Sequence, residues 1–384
     1  MTTREGSGGT PAANAEQRRR SGRAGARPRP ARKAAGSVVV TGAAGAIGSV
    51  LLDRLAASDD VGTVVALDLV RGVNADVTWR TGDVRDPGVA AVFAGADAVI
   101  HLAVDWRLES APAQRTDLNV RGTQTVVTAA AAAGVRRAVI VSSAAVYGAQ
   151  PDNPIPLAED APLRAVPEGI AADLLEIERV AEDARRVHPG LDVVVVRPAA
   201  LVGPGVDTLI TRHFAAPRLL VIKDTAPAWQ FCHVEDLASA LELAALGRVS
   251  GTVTCGSDGY LTQQRLEDLS GMKRVEIPAS LALATAERLH RVGVTPAPAS
   301  ELAYVMHPLV VPSTTLRVAG WAAQHDNEEC LAEVLTQVEG ERALAGRRIG
   351  KRDATVAATS AAGATVAVLG AAAFVRAARK ARSR

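Results

Sequence analysis

The stretch that most limits what this chain can fold into is residues 38–52, VVVTGAAGAIGSVLL. Three β-branched residues, Val38, Val39 and Val40, run into Thr41 and then Gly42, Gly45 and Gly48, and an apolar helical pattern follows through Val50, Leu51 and Leu52. This order predicts strand, tight turn and helix. Gly42 suits a backbone conformation closed to other residues, Gly45 lets the main chain come close to a pyrophosphate, and Gly48 permits tight helix–strand packing. The helix start then offers unpaired N–H groups and the positive end of its dipole to phosphate. A second strand pattern, VVALDL at 64–69, carries Asp68 twenty residues after Gly48. A carboxylate there accepts both hydroxyls of an adenosine ribose and repels a 2′-phosphate, so the pattern favours NAD(H) over NADP(H).

Strand and helix patterns alternate beyond this point: a short strand near 75–80, the buried strand DAVIHLAV at 97–104, a helical stretch over 119–133, and the strand of RRAVIVSSAAVYG at 136–148. Such alternation predicts an α/β fold, a Rossmann-type doubly wound parallel sheet with its crevice at the carboxyl ends of the strands. The organisation read from the sequence is a disordered basic tail (1–36), a dinucleotide-binding domain (37–200), a smaller substrate-binding part interleaved with it (201–345), a C-terminal apolar helix (354–375) and a basic tail (376–384). In the second part, 233–246 reads as an amphipathic helix capped and braced by Asp236, and 251–262 as a strand returning to the core.

Composition narrows the function. The content of 48% hydrophobic and 22% charged residues is that of a globular protein. The net charge of +2 hides basic ends, +7 over residues 1–36 and +5 over 376–384, so the body between them is acidic at −10 and a poor nucleic-acid binder. Cys232, Cys255 and Cys330 have no metal-site spacing, which predicts no metal and suits a reducing cytoplasm. No signal-peptide core is visible in 1–36.

Seven segments in order carry a resemblance: TGAAGAIG (41–48), GDVRD (82–86), HLA (101–103), NVRGT (119–123), SSAAVYG (142–148), RPAALVGPG (197–205) and FCHVEDLA (231–238). Together they resemble the extended short-chain dehydrogenase/reductases of the NAD-dependent epimerase/dehydratase type, whose best-known members act on nucleotide sugars. The resemblance implies NAD as cofactor. It implies that Gly42, Ala43, Gly45, Ala46, Ile47 and Gly48 hold the pyrophosphate, that Asp68 holds the ribose, and that Asp83 and Val84 flank the adenine. Leu102 and Ala103 pass beside the ribose and phosphates, and Asn119 braces the central strands. For Asp83 an ordinary turn-starting aspartate is the competing reading.

The same resemblance implies a catalytic tyrosine, a lysine four residues later and an upstream serine. Ser143 occupies the serine position. With Glu178 as anchor, Ile170 and Leu174 stand where the tyrosine and lysine should be, on a helix beginning near Gly169. No register repairs this, because no lysine lies between Lys33 and Lys223 and the only tyrosine before Tyr260 is Tyr147. Tyr147 beside Ser143 is the best remaining acid, but Pro151 lies where its lysine would stand, so with no cation nearby its pKa should stay near 10. His101 reads as a satisfied structural histidine, Asp105 as a weak acid–base candidate, and Asp173, Glu176 and Glu178 as a solvated helix face. Ala200 replaces an asparagine usually directed at substrate, and a short 218–229 segment suggests a reduced pocket. The partner is an unknown small molecule, with a nucleotide sugar as one option.

Residues 354–375 contain no charge and reach about 33 Å as a helix, enough to cross a bilayer. Basic residues flank them on both sides, so attachment to the inner face of the cell membrane is expected, with a self-associating helix, and hence a homodimer, as the alternative.

Overall fold

A computed structural model describes residues 36–107, 110–295 and 297–348. The tail 1–35 and the apolar segment 354–375 lie outside the described residues. Among those described, no helix is long and apolar enough to cross a membrane.

The central element is β1 (Gly36–Thr41), followed by α1 (Ala46–Ala57), β2 (Val61–Asp68), β3 (Thr78–Thr81) and β4 (Ala98–His101). A π-helical turn, Asp117–Arg121, leads into α2 (Gly122–Ala132), then come β5 (Arg137–Val141), α3 (Gly169–Val187) and β6 (Asp192–Pro198). After a smaller insertion, α4 (Val234–Ala245) and β7 (Thr252–Cys255) return to the sheet, and α5 (Asn327–Arg348) ends the described chain. The seven strands lie in the order β7-β6-β5-β4-β1-β2-β3, all parallel. The order reverses beside β1, where Thr41 pairs with Leu67 on one side and His101 on the other. That switch point opens a crevice at the carboxyl ends.

Consecutive valines in β1 serve two cores. Val38 and Val40 pack with Leu51, Leu52 and Leu55 of α1 and Leu237 and Leu241 of α4, while Val39 packs with Val126, Val127, Leu174 and Ile177 from α2 and α3. Side chains alternate across a strand, so a strand covered by helices on both faces needs continuous apolar sequence.

The insertion after β6 pairs Leu219–Lys223 in parallel with Arg274–Pro278 and builds its own cluster around Phe214, Trp229, Phe231, Leu266 and Leu331. The third strand falls at 78–81 rather than 75–80. Asp236 braces but does not cap: His233 caps α4, its Nδ1 accepting from the Glu235 N–H at 3.3 Å, while Asp236 accepts from the Gln324 and His325 N–H groups at 2.7 and 3.1 Å.

The expected solvated face of α3 is also corrected. Only Glu176 is exposed; Asp173 (2% exposed) bonds Arg115 Nε at 2.7 Å, and Glu178 (7%) takes Arg197 in a two-pronged pair at 2.8 and 2.9 Å. Helix spacing placed these carboxylates correctly, but arginines from other elements cover them.

Gly48 packs so closely that a Cβ would stand 2.5 Å from the Gly42 carbonyl oxygen and 2.6 Å from that of Ala43. Both contacts are backbone and cannot swing aside. Gly48→Ala should therefore lower stability by about 1–3 kcal/mol, read as a fall in urea midpoint at unchanged slope.

Candidate functional site

The turn after β1 is drawn tight by its own geometry. Gly42 has φ +68°, and a Cβ there would lie 2.5 Å from the Ala103 nitrogen, so only glycine lets this turn meet the segment leaving β4. Gly45 differs: its φ of −72° is ordinary, and a Cβ would meet nothing nearer than the Gly42 oxygen at 3.3 Å. Its bare face borders a cleft of about 560 Å³.

Ten of the residues expected to hold a dinucleotide line this one cleft: Gly42, Gly45, Ala46, Ile47, Gly48, Asp68, Asp83, Val84, Leu102 and Ala103. Asp68 also anchors the turn, accepting from the Ala44 N–H at 2.9 Å and the Leu69 N–H at 2.7 Å. Each oxygen keeps a second lone pair for a ribose hydroxyl. Asp83 is held by Arg85 through both oxygens, with Nη2–Oδ2 at 2.6 Å, and accepts the Arg85 N–H at 2.9 Å. Hydrogen bonding from Arg85 keeps its carboxyl below the usual range. The turn-starting role and the cleft position thus coexist in one residue.

Two of the expected cofactor residues stand behind the cleft. Ala43 is fully buried beneath the turn. Asn119, also buried, sits in the π-helical turn; its Oδ1 accepts from the Asp105 N–H at 2.7 Å and its Nδ2 donates to the Asp105 carbonyl at 3.2 Å and Asp173 Oδ2 at 3.1 Å. It shapes the wall from behind. His101 is satisfied as expected: Thr123 Oγ1 donates to the Asn119 carbonyl at 2.5 Å, so it accepts from His101 Nε2 at 3.1 Å, and Nδ1 accepts from Thr41 Oγ1 at 2.7 Å. Burial pushes its pKa down to about 4, which leaves the ring neutral.

The two expected catalytic residues do not line the cleft. Ser143 is half-buried, and its Oγ accepts the Ala145 N–H at 3.1 Å, capping the turn Ala144–Tyr147. Tyr147 is 1% exposed, its hydroxyl donating to the Glu159 carbonyl at 2.6 Å and accepting from Arg197 Nη1 at 2.8 Å. The expectation of no nearby cation is corrected by Arg197, whose guanidinium also lies 4.9 Å from the ring centroid. Burial nevertheless outweighs that charge and holds the phenol above its ordinary pKa. Leu174 is fully buried and Ile170 packs against the same core. Asp105 is tied to Arg107 Nε at 2.9 Å and Ser110 Oγ at 2.5 Å; burial raises its pKa, and these bonds together bring it below the usual range, so it stays a carboxylate.

Sequence reasoning missed the far wall, where Trp106, Arg107, Leu201, Val206, Asp207 and Thr208 line the cleft. Leu201 lies within the RPAALVGPG segment and the others lie within four residues of it or of HLA, so proximity to those motifs was the available signal. In the insertion, a cavity of about 40 Å³ lies between Leu209, His213, Leu220, Thr295, Glu301 and Leu302. That is room for a few waters, far below the several hundred Å³ of ordinary ligand pockets. Glu301 is 4% exposed, and no side chain hydrogen-bonds its carboxylate; burial pushes its pKa up to about 7.

The NAD dependent epimerase/dehydratase family profile matches residues 38–254. An uncharacterised protein of Mycobacterium tuberculosis is 30% identical over 295 residues, covering 73% of this chain and 78% of that protein. A dTDP-glucose 4,6-dehydratase of Streptomyces griseus is 30% identical over 262 residues, covering 60% of this chain and 76% of its own. The solved structure of MoeE5 with UDP-glucuronic acid and NAD superimposes with a TM-score of 0.61 at 25% identity, covering 80% of this chain and all of that one.

Two measurements test the site. Calorimetric titration should give tighter binding of NAD(H) than of NADP(H), and Gly45→Val should abolish binding while leaving the melting midpoint near that of the parent, since its side chain enters the cleft. The buried Glu301 carries a pH signature: its pKa is raised on folding, so stability is full below the unfolded value near 4.5 and declines as pH rises through 7. Denaturant unfolding from pH 5 to 8 should lose up to about 3 kcal/mol, and Glu301→Gln should flatten that slope.

Proposed function

The chain belongs to the NAD-dependent epimerase/dehydratase family, and from that premise we propose that it holds NAD(H) in this cleft and works without the tyrosine–lysine proton relay. The supporting observation is that these positions carry no group able to move a proton to the cleft: Leu174 is 1% exposed, Ile170 is half-buried against the same core, and the hydroxyl of Tyr147 is already engaged at both its donor and an acceptor position. The Gly42–Gly48 turn would take the pyrophosphate, Asp68 the ribose hydroxyls, and Val84 the adenine edge, with Asp83 beside it. The cofactor, when bound, supplies hydride transfer.

On this reading the protein is an atypical oxidoreductase whose substrate, of the nucleotide-sugar class or a smaller relative of it, meets Trp106, Arg107, Asp207 and Thr208 in place of a tyrosine. A second reading, a non-catalytic NAD(H) sensor or scaffold, is favoured by the burial of Tyr147, the best remaining acid in the sequence, which is 1% exposed and has its hydroxyl bonded on both sides. Attachment through 354–375 belongs to either reading.

Assays with UDP-glucose and UDP-galactose should show no detectable 4-epimerisation, at least a thousandfold below an enzyme with an intact relay. Robust turnover would overturn the proposal. Reduction of bound NAD+ by any tested sugar nucleotide, followed by its absorbance, would favour the enzyme over the sensor. Full-length protein should sediment with membranes at low salt and a version ending at Asp353 should not; recovery of both in the supernatant would remove the attachment.

A further inference from the structure

A group of polar side chains at the start of α4 is not used by the cofactor cleft. His233, the N-cap of α4, is 3% exposed and places Nε2 2.8 Å from Glu333 Oε2 on α5. His325, from the segment before α5, stacks on it with ring centroids 3.8 Å apart at 32°. Asp236, 2% exposed, takes the His325 N–H and lies 3.2 Å from His325 Nδ1, so the proton of that ring is held on Nδ1. In the neutral ring Nε2 is then a bare lone pair. It faces Glu235 Oε2 at 3.6 Å, an acceptor opposite an acceptor and too far for a hydrogen bond. Two groups of this kind are brought together favourably by a cation between them. One ligand atom from each of His233, Glu235 and His325 lies within 4.8 Å of the other two.

We propose that His233 through Nδ1, Glu235, and His325 through Nε2 bind a divalent transition-metal ion of the Zn2+ type: Nδ1 of His233 exchanges its 3.3 Å contact with the Glu235 N–H for the ion, its Nε2–H stays on Glu333, and water completes the shell. Two imidazoles with a carboxylate are borderline donors, suited to Zn2+ or Co2+ and poor for Mg2+ or Ca2+. Bonds of about 2.0–2.1 Å in a tetrahedron set donors about 3.3–3.5 Å apart, so the group must close by about an ångström. Glu235 can supply that movement, since its side chain is 64% exposed and on the solvent side of the group. The Asp236–His325 contact is the outer carboxylate that fixes ring orientation and makes Nε2 the better ligand. His233 and His325 are 92 positions apart, so the ion ties the segment before α5 to the start of α4 and stabilises the folded chain in proportion to its occupancy.

The test uses the full-length protein, stripped with chelator and titrated with Co2+ and then Zn2+. One Co2+ per chain should bind with the visible bands of a four- or five-coordinate site, Zn2+ should displace it, and saturating Zn2+ should raise the melting midpoint. Glu235→Gln and His325→Ala should each weaken binding at least tenfold. Because Glu235 is exposed, Glu235→Gln without metal should melt as the parent does, which separates lost coordination from lost folding. Absence of stoichiometric Co2+ binding, or unchanged affinity in both variants, would overturn the site.

Discussion

Two close approaches of backbone to backbone set the terms for everything else in this protein. A Cβ at Gly42 would strike the Leu102–Ala103 peptide, and a Cβ at Gly48 would strike the Gly42 and Ala43 carbonyls, each at about 2.5 Å. The first contact brings the turn after β1 against the end of β4. The second seats α1 on β1. Together they fix the floor of the cleft, and Asp68 then ties the turn to the end of β2 through the Ala44 N–H. The floor is thus made largely of main chain, which side-chain substitution elsewhere leaves alone.

Behind that floor a second layer is ionic. Asp173 accepts from Arg115, Thr116 and Asn119, and Asn119 in turn holds the backbone of Asp105 at the cleft wall. Glu178 and Arg197 form a parallel arrangement that ends on the Tyr147 hydroxyl. Buried pairs of this type add little net stability, yet loss of one partner strands the other charge at a cost of about 3–5 kcal/mol. Their effect is to fix positions: α3 cannot slide along β6 or the π-helical turn without breaking them.

This layering explains what was legible. The apolar strands, the glycine turn and Asp68 declare themselves within thirty residues, because their roles depend on local backbone and on neighbours in the chain. Asp173 and Glu178 looked like a solvated face because their partners, Arg115 and Arg197, lie 58 and 19 residues away on other elements. Tyr147 looked like a free phenol for the same reason: its donor partner Arg197 is 50 residues distant. The far wall, with Trp106 and Asp207, has no motif of its own and arises only when the segments after β4 and β6 converge. His233 was visible inside FCHVEDLA, but its neighbour His325 stands between 262 and 341, where the sequence shows helices and little motif information.

On the proposed reading, the separation of backbone floor from side-chain chemistry lets an intact fold do without the relay. A proton relay needs two particular side chains on one face of α3, whereas the cofactor floor needs none from that helix. On that reading Ile170 and Leu174 stand at the relay positions: Leu174 joins Ile177 and Ala181 in the core shared with Val126 and Val127, and Ile170 packs half-buried against it. Each fully buried aliphatic side chain of this size contributes about 1.5–3 kcal/mol relative to exposure. At such positions packing and proton transfer are competing uses of the same helix face, and Leu174 is committed to packing.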